Sequence, residues 1–104
     1  MARYDVYANP DATLRKIAPF LLDVQNDYIN SLDSRVVIPM RPAALYPHPM
    51  RDLNPVFEVS GKVVVLDTAG LAAFPARELK KRVAGLQDQS ELIVAAMDCL
   101  FGAY

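Results

Sequence analysis

The chain has 104 residues, enough for one domain with its own core, and its 53% hydrophobic and 22% charged content is globular rather than disordered. A net charge of −1 lacks the electrostatic footprint of a general nucleic-acid binder. The single cysteine, Cys99, excludes an internal disulfide, and eight prolines against four glycines favour short strands and turns.

The first residues, Met1-Ala2-Arg3-Tyr4-Asp5, carry charges and lack the apolar core of a signal peptide, so the cytoplasm is the expected location. Residues 3–7 alternate and contain aromatic and β-branched side chains, which predicts a first strand. Asn9-Pro10-Asp11 breaks it, and a loop runs to Lys16. Pro19 introduces a second strand over 20–25, with Phe20, Leu22 and Val24 on a buried face and Asp23 and Gln25 on a polar one. Asn30-Ser31 and Asp33-Ser34 supply turn chemistry. The run 35–40 is strongly β-forming, and Pro39 places a strand end or edge there.

Pro42, Pro47, Pro49 and Pro55 punctuate the next stretch, which reads as a structured loop holding a short strand at 43–46. Val56–Val59 and Lys62–Leu66 flank Ser60-Gly61, a two-residue connection that signals a tight hairpin. Residues 76–83 have helical propensity, supported by Leu79 and Val83 four apart.

The apolar run 92–101 closes the chain as a helix. Asp88 or Ser90 can cap its start, and Glu91 suits the positive end of the dipole. At about 100° per residue only Glu91 and Asp98 form a polar stripe, with Ala95 and Gly102 between them. So wide an apolar surface predicts burial on two sides, once against its own domain and once against a partner. The run is too short to span a bilayer. Five or more strands followed by one helix make an all-β barrel or sandwich that carries a terminal helix.

No catalytic constellation stands out. His48, the only histidine, lies between two prolines, and without a second histidine or paired cysteines no zinc site forms. The serines lack a nucleophile-elbow context, glycine is too scarce for a phosphate-cradling loop, and no cofactor is implied. Asp23 and Asp27 sit roughly 13 Å apart on an extended chain, too far for acid–base work, and read as solvated strand-edge charges. Arg77, Lys80, Lys81 and Arg82 read as a solubilising surface, and Cys99 as a small buried hydrophobe. A binding role remains. The helix exposes a free end carrying Phe101 and Tyr104, aromatic side chains of the kind that anchor interfaces, beside Asp98 at the unfavourable end of the dipole.

Phe20-Leu21-Leu22-Asp23-Val24-Gln25-Asn26-Asp27, followed by Arg35-Val36-Val37-Ile38-Pro39-Met40, resembles the Phe-Val-Asp-Val-Gln-Ser-Asp and Arg-x-Val-Ile-Pro-Leu signature of the CcdB toxins. The likeness continues through Leu53, Pro55 and Val56, through Thr68 with Phe74-Pro75, and into Ala96-Met97-Asp98. It covers residues 1–104 in order, as one CcdB-like domain. The resemblance implies a mainly β, α+β fold: an SH3-like β-barrel of the CcdB/MazF type, with a small additional sheet and a C-terminal helix. It also makes 74–83 a strand and connection, against the helical propensity.

By function, the resemblance implies the toxin of a toxin–antitoxin module rather than an enzyme. Such a toxin is a homodimer that binds the A subunit of DNA gyrase across its two-fold, traps the enzyme on cleaved DNA and is released by a CcdA-like antitoxin. It implies neither a membrane partner nor sequence-specific nucleic-acid binding. The gyrase-facing positions map onto Asn26, Tyr28, Asp98, Phe101, Gly102, Ala103 and Tyr104. The best-known members end in Trp-Gly-Ile. An ungapped match sets Gly102, Ala103 and Tyr104 at those places, and a one-residue slide sets Phe101 on the tryptophan, which this chain lacks. Two other readings stand beside this one: a module that binds antitoxin but has lost gyrase poisoning, and a MazF-like ribonuclease.

Overall fold

The computed structural model describes residues 1–102, and its architecture is set by one long central strand. The described residues form seven strands: β1 (Asp5–Ala8), β2 (Phe20–Asp23), β3 (Ser34–Pro42), β4 (Val56–Val59), β5 (Lys62–Leu66), β6 (Ala72–Pro75) and β7 (Arg82–Gly85). Helix α1 (Ser90–Phe101) ends the described chain. All pairings are antiparallel, in the order β4-β5-β3-β2-β1-β7, and β6 also pairs with β3. The result is a curled, barrel-like antiparallel sheet with one C-terminal helix, the α+β barrel class expected from the sequence.

β3 holds this sheet together by forking. Its first half, Ser34 to Val37, pairs with β6, and its last residues, Met40 to Pro42, pair with β5. Pro39 falls in the gap between the two partners, where its missing N–H removes no ladder bond, while its carbonyl accepts the Asp67 N–H at 2.9 Å. The proline marks a change of partner inside the strand rather than the strand end its type predicts.

Two apolar layers follow from the side-chain alternation. Val6, Leu22, Ile38, Met40, Val64 and Leu66 fill the inside of the curl and pack on Ile93 and Ala96 of α1. Tyr7, Leu21 and Val37 point the other way and are covered by Leu79 and Phe74. β2 therefore has no solvated face: all four of its residues are buried.

Local differences from expectation have identifiable causes. β1 starts at Asp5 because Tyr4 adopts φ 73°, left-handed backbone that cannot continue a strand. Ser60-Gly61 makes the expected hairpin, with φ of 50° and 76°, the double positive that a type I′ turn requires. Residues Ala43–Leu45 form a single 3-10 turn instead of a short strand, closed by the Tyr46 N–H on the Ala43 carbonyl at 3.2 Å. The helical propensity of 76–83 is overridden: one 3-10 turn, Ala76–Glu78, leads into β7, which pairs with β1. α1 grows directly out of the 3-10 turn Gln87–Gln89, so its N-cap is Gln89 with no side-chain cap bond, and neither Asp88 nor Ser90 serves.

Candidate functional site

The residues singled out by the sequence fall in two places. Asn26 and Tyr28 share the 3-10 turn that follows β2, and Asp98, Phe101 and Gly102 share the C-terminal end of α1. Ala103 and Tyr104 lie outside the described residues. Among the described residues, no hydrogen bond or ion pair joins the two groups.

The turn is shaped by an Asx cap. The Asn26 side-chain oxygen accepts the Tyr28 N–H at 3.0 Å, which starts the turn Asp27–Ile29 and leaves the Tyr28 ring 94% exposed. A tyrosine so exposed adds nothing to the core. It is presented to solvent by a turn whose backbone is pinned from below.

The pin is Arg35, which the sequence pattern does not single out. Its side chain is 1% exposed, and its Nη2 lies 2.7 Å from the Asp23 carboxylate, itself 0% exposed. Nε donates to the same carboxylate oxygen at 2.8 Å, and Nη1 donates to the Asn30 side chain at 2.6 Å. Nη2 also reaches the Gln25 carbonyl at 3.4 Å and the Asp27 carboxylate at 3.5 Å. Asp27 in turn accepts the Arg3 N–H at 2.9 Å. One guanidinium thus ties together both flanks of the turn and the N-terminal segment.

The solvated reading is overturned for Asp23 and holds for Asp27. Asp23 is fully buried and paired, and Asp27 is a half-exposed partner of the same arginine. Burial pushes the Asp23 carboxyl above its ordinary value, against the opposing pull of the Arg35 hydrogen bonds. A sequence signal existed. Asp23 and Arg35 flank a turn-rich connection, and the antiparallel pairing sets Asp23 opposite Val37, so that Arg35, two residues earlier, meets it diagonally.

At the helix end, Gly102 adopts φ 74° and ψ 35°, the left-handed C-cap that glycine permits, and its N–H bonds the Asp98 carbonyl. Phe101, immediately before the cap, is 69% exposed. The last turn of α1 holds no basic residue, so the Asp98 carboxylate stands uncompensated against the dipole. One side of α1 is covered, with Ile93 and Ala96 buried and Met97 packed on the core. Leu92, 50% exposed, and Val94, 38% exposed, lie on the two flanks of that covered side, and the face opposite Ile93 is the stripe of Glu91, Ala95 and Asp98. Cys99 is half-buried rather than sealed in the core.

His48 sits in an exposed loop at φ 57°, and among the described residues no group of three or more His, Cys, Asp or Glu could hold a metal. No helix among the described residues is long and apolar enough to cross a membrane.

These features, a buried Asp–Arg clamp under an exposed turn and an apolar helix with a free tip, lie within one family match. The family model of the CcdB protein covers residues 3–102. The chain belongs to the CcdB family. No curated protein matches it. Membership makes the chain a toxin of a toxin–antitoxin module. In this CcdB-family toxin the strand signature acquires a physical meaning. Asp23 and Arg35 of the two motifs form the clamp, and Pro39 marks the fork of the central strand.

Proposed function

We propose that this toxin acts as a homodimer that binds the A subunit of DNA gyrase through its paired C-terminal helix ends and traps the gyrase–DNA cleavage complex. The carrying observation is the exposed apolar flank of α1 on which Val94 leads, two turns on, to the exposed Phe101 tip. A second copy of the chain covers that side, and the two tips then lie near the dimer axis, presented together. Asn26, Tyr28, Asp98, Phe101, Gly102, Ala103 and Tyr104 form the gyrase-facing surface. The Arg35 clamp acts beneath it by holding Tyr28 in place. The chain works as one domain over 1–104, in the cytoplasm, without a cofactor, and a CcdA-like antitoxin restrains it.

Purified toxin incubated with gyrase, supercoiled plasmid and ATP is expected to accumulate linear, protein-linked DNA. Removing Gly102, Ala103 and Tyr104 is expected to abolish that product while sedimentation still reports a dimer. Full-length toxin that yields no cleaved DNA at micromolar concentration would refute gyrase poisoning. Poisoning that survives the truncation would refute the assignment of the site to the helix end.

A further inference from the structure

Val37, Pro39 and Arg41 alternate onto one side of the central strand β3, where Leu21 of β2 stands opposite Pro39. That side holds a pocket of about 300 Å³ that shares no residue with α1 or the 26–29 turn. Phe74 also lines it, and Leu14 and Ile17, 46% and 51% exposed, stand at its edge. A volume at the small end of ligand sites admits a molecule of amino-acid size and not a nucleotide.

The polar lining is one opposite-charge pair with unused capacity. Arg41 Nη1 lies 3.7 Å from Asp67 Oδ2, longer than a hydrogen bond. The Arg41 Nε is buried and, among the described residues, has no hydrogen-bond partner, a donor left for an incoming acceptor. The Tyr46 ring, 5.4 Å from the guanidinium carbon, steadies the arginine. Gly70 keeps the approach to Asp67 open: a Cβ there would stand 3.0 Å from a carboxylate oxygen, closer than atoms ordinarily pack. Asn9 lines the pocket too, but its amide is already engaged, donating to the Ala18 carbonyl at 2.9 Å and accepting the Asp11 N–H at 3.0 Å.

We propose that this pocket binds a free α-amino acid with an aliphatic side chain of leucine size. Its carboxylate takes the Arg41 donors, its ammonium faces Asp67, and its side chain packs among Leu14, Ile17, Leu21 and Phe74. Charge decides between head groups. A plain carboxylate gains Arg41 but is repelled by Asp67, and a plain amine meets the reverse; a zwitterion is matched at both ends by charge-assisted hydrogen bonds. A residue inside a peptide carries neither charge.

The test is isothermal titration of the full chain with L-leucine. Comparison ligands each remove a feature: isocaproate lacks the ammonium, L-leucinamide the carboxylate, N-acetyl-L-leucinamide both charges, and glycine the side chain. Leucine is expected to bind with a Kd on the order of 0.1–1 mM, as suits so small a ligand. Each comparison ligand should bind at least roughly tenfold more weakly, the worth of one charge-assisted hydrogen bond or one buried side chain. Arg41→Gln and Asp67→Asn should each weaken leucine by a similar factor. Gly70→Ala should weaken it with both charges retained, by crowding the carboxylate. Circular dichroism establishes that each variant is folded. The proposal is overturned by no leucine binding at about 10 mM, by isocaproate or N-acetyl-L-leucinamide binding as tightly as leucine, or by a leucine affinity indifferent to both charge-removing variants. The ligand comparison uses the unaltered chain, so it decides the matter whatever the stability of the variants. None of these readouts involves gyrase, so they stand or fall apart from the helix-end reading.

Discussion

Arg35 lies in the interior because each of its three guanidinium nitrogens has a partner there. A buried guanidinium is costly unless its charge is paired and its N–H groups are bonded. Here Asp23 supplies the charge, and Asn30, Gln25 and Asp27 take the remaining hydrogen bonds. The loss of one member should therefore exceed the net worth of the pair. Arg35→Met is expected to destabilise the fold by about 3–5 kcal/mol in urea unfolding, because it strands the Asp23 carboxylate in an apolar interior. Asp23→Leu/Arg35→Met should recover most of that loss. If the double variant is no more stable than the single, the cost comes from lost turn geometry and not from an orphaned charge. This cluster also shows where reading by residue type fails. Asp23 sits at a position whose neighbours alternate, and alternation assigned it to water. Its true setting depends on a residue twelve positions later, which local pattern does not see.

At the scale of elements, most of the fold was legible because local rules and tertiary demands agree. The hairpin β4–β5 follows from Ser60-Gly61, and the buried side of α1 follows from the helical spacing of Ile93, Ala96 and Met97. β7 is the instructive exception. Its stretch prefers helix by propensity, but β1 needs a second partner, and Val83 and Ala84 pack on the core as strand residues. The resemblance to a family got this right where propensity did not.

The β1–β7 junction is further tied by Asp5, which accepts from the Arg82 Nε at 2.9 Å and from the Gln87 side chain at 3.0 Å. Burial raises the Asp5 carboxyl, but the bonds from Arg82, Gln87 and the Ala2 backbone outweigh it and hold the group below its ordinary value. A carboxyl lowered in the folded state contributes stability above its unfolded value and loses it as pH falls through the folded one. Asp5→Asn is thus expected to cost about 1–2 kcal/mol at neutral pH. That deficit should shrink as the solution is acidified below the ordinary carboxylate range, near about 4. Asp23, raised rather than lowered, has the opposite sign and cannot be the source of such a loss on acidification. A deficit for Asp5→Asn that stays constant across that window would assign its role to packing instead.

For the molecule as a whole, the question is what covers α1. The helix has 12 residues, so at 1.5 Å per residue it is about 18 Å long. Taking a width of about 10 Å, its open side offers an area on the order of 180 Å², far below the roughly 800 Å² per partner of a stable interface. A dimer built on the helix alone would be weak. In the proposed dimer the self-contact must continue onto surface beside the helix, which would then lie at the centre of a larger isologous patch. Two-fold symmetry then counts each substitution twice. Leu92 is half exposed in the protomer, so Leu92→Asp should leave the monomer fold intact. Each copy forfeits on the order of 1 kcal/mol of apolar burial and gains a carboxylate that must be desolvated. Twice that loss weakens self-association at least roughly thirtyfold. Sedimentation velocity over a concentration series should show the wild-type chain dimeric and Leu92→Asp moving toward monomer, with unchanged circular dichroism. A wild-type chain that stays monomeric at the highest concentrations would remove the dimer, and the paired helix ends with it. A Leu92→Asp variant as dimeric as wild type would place the two-fold elsewhere on the barrel.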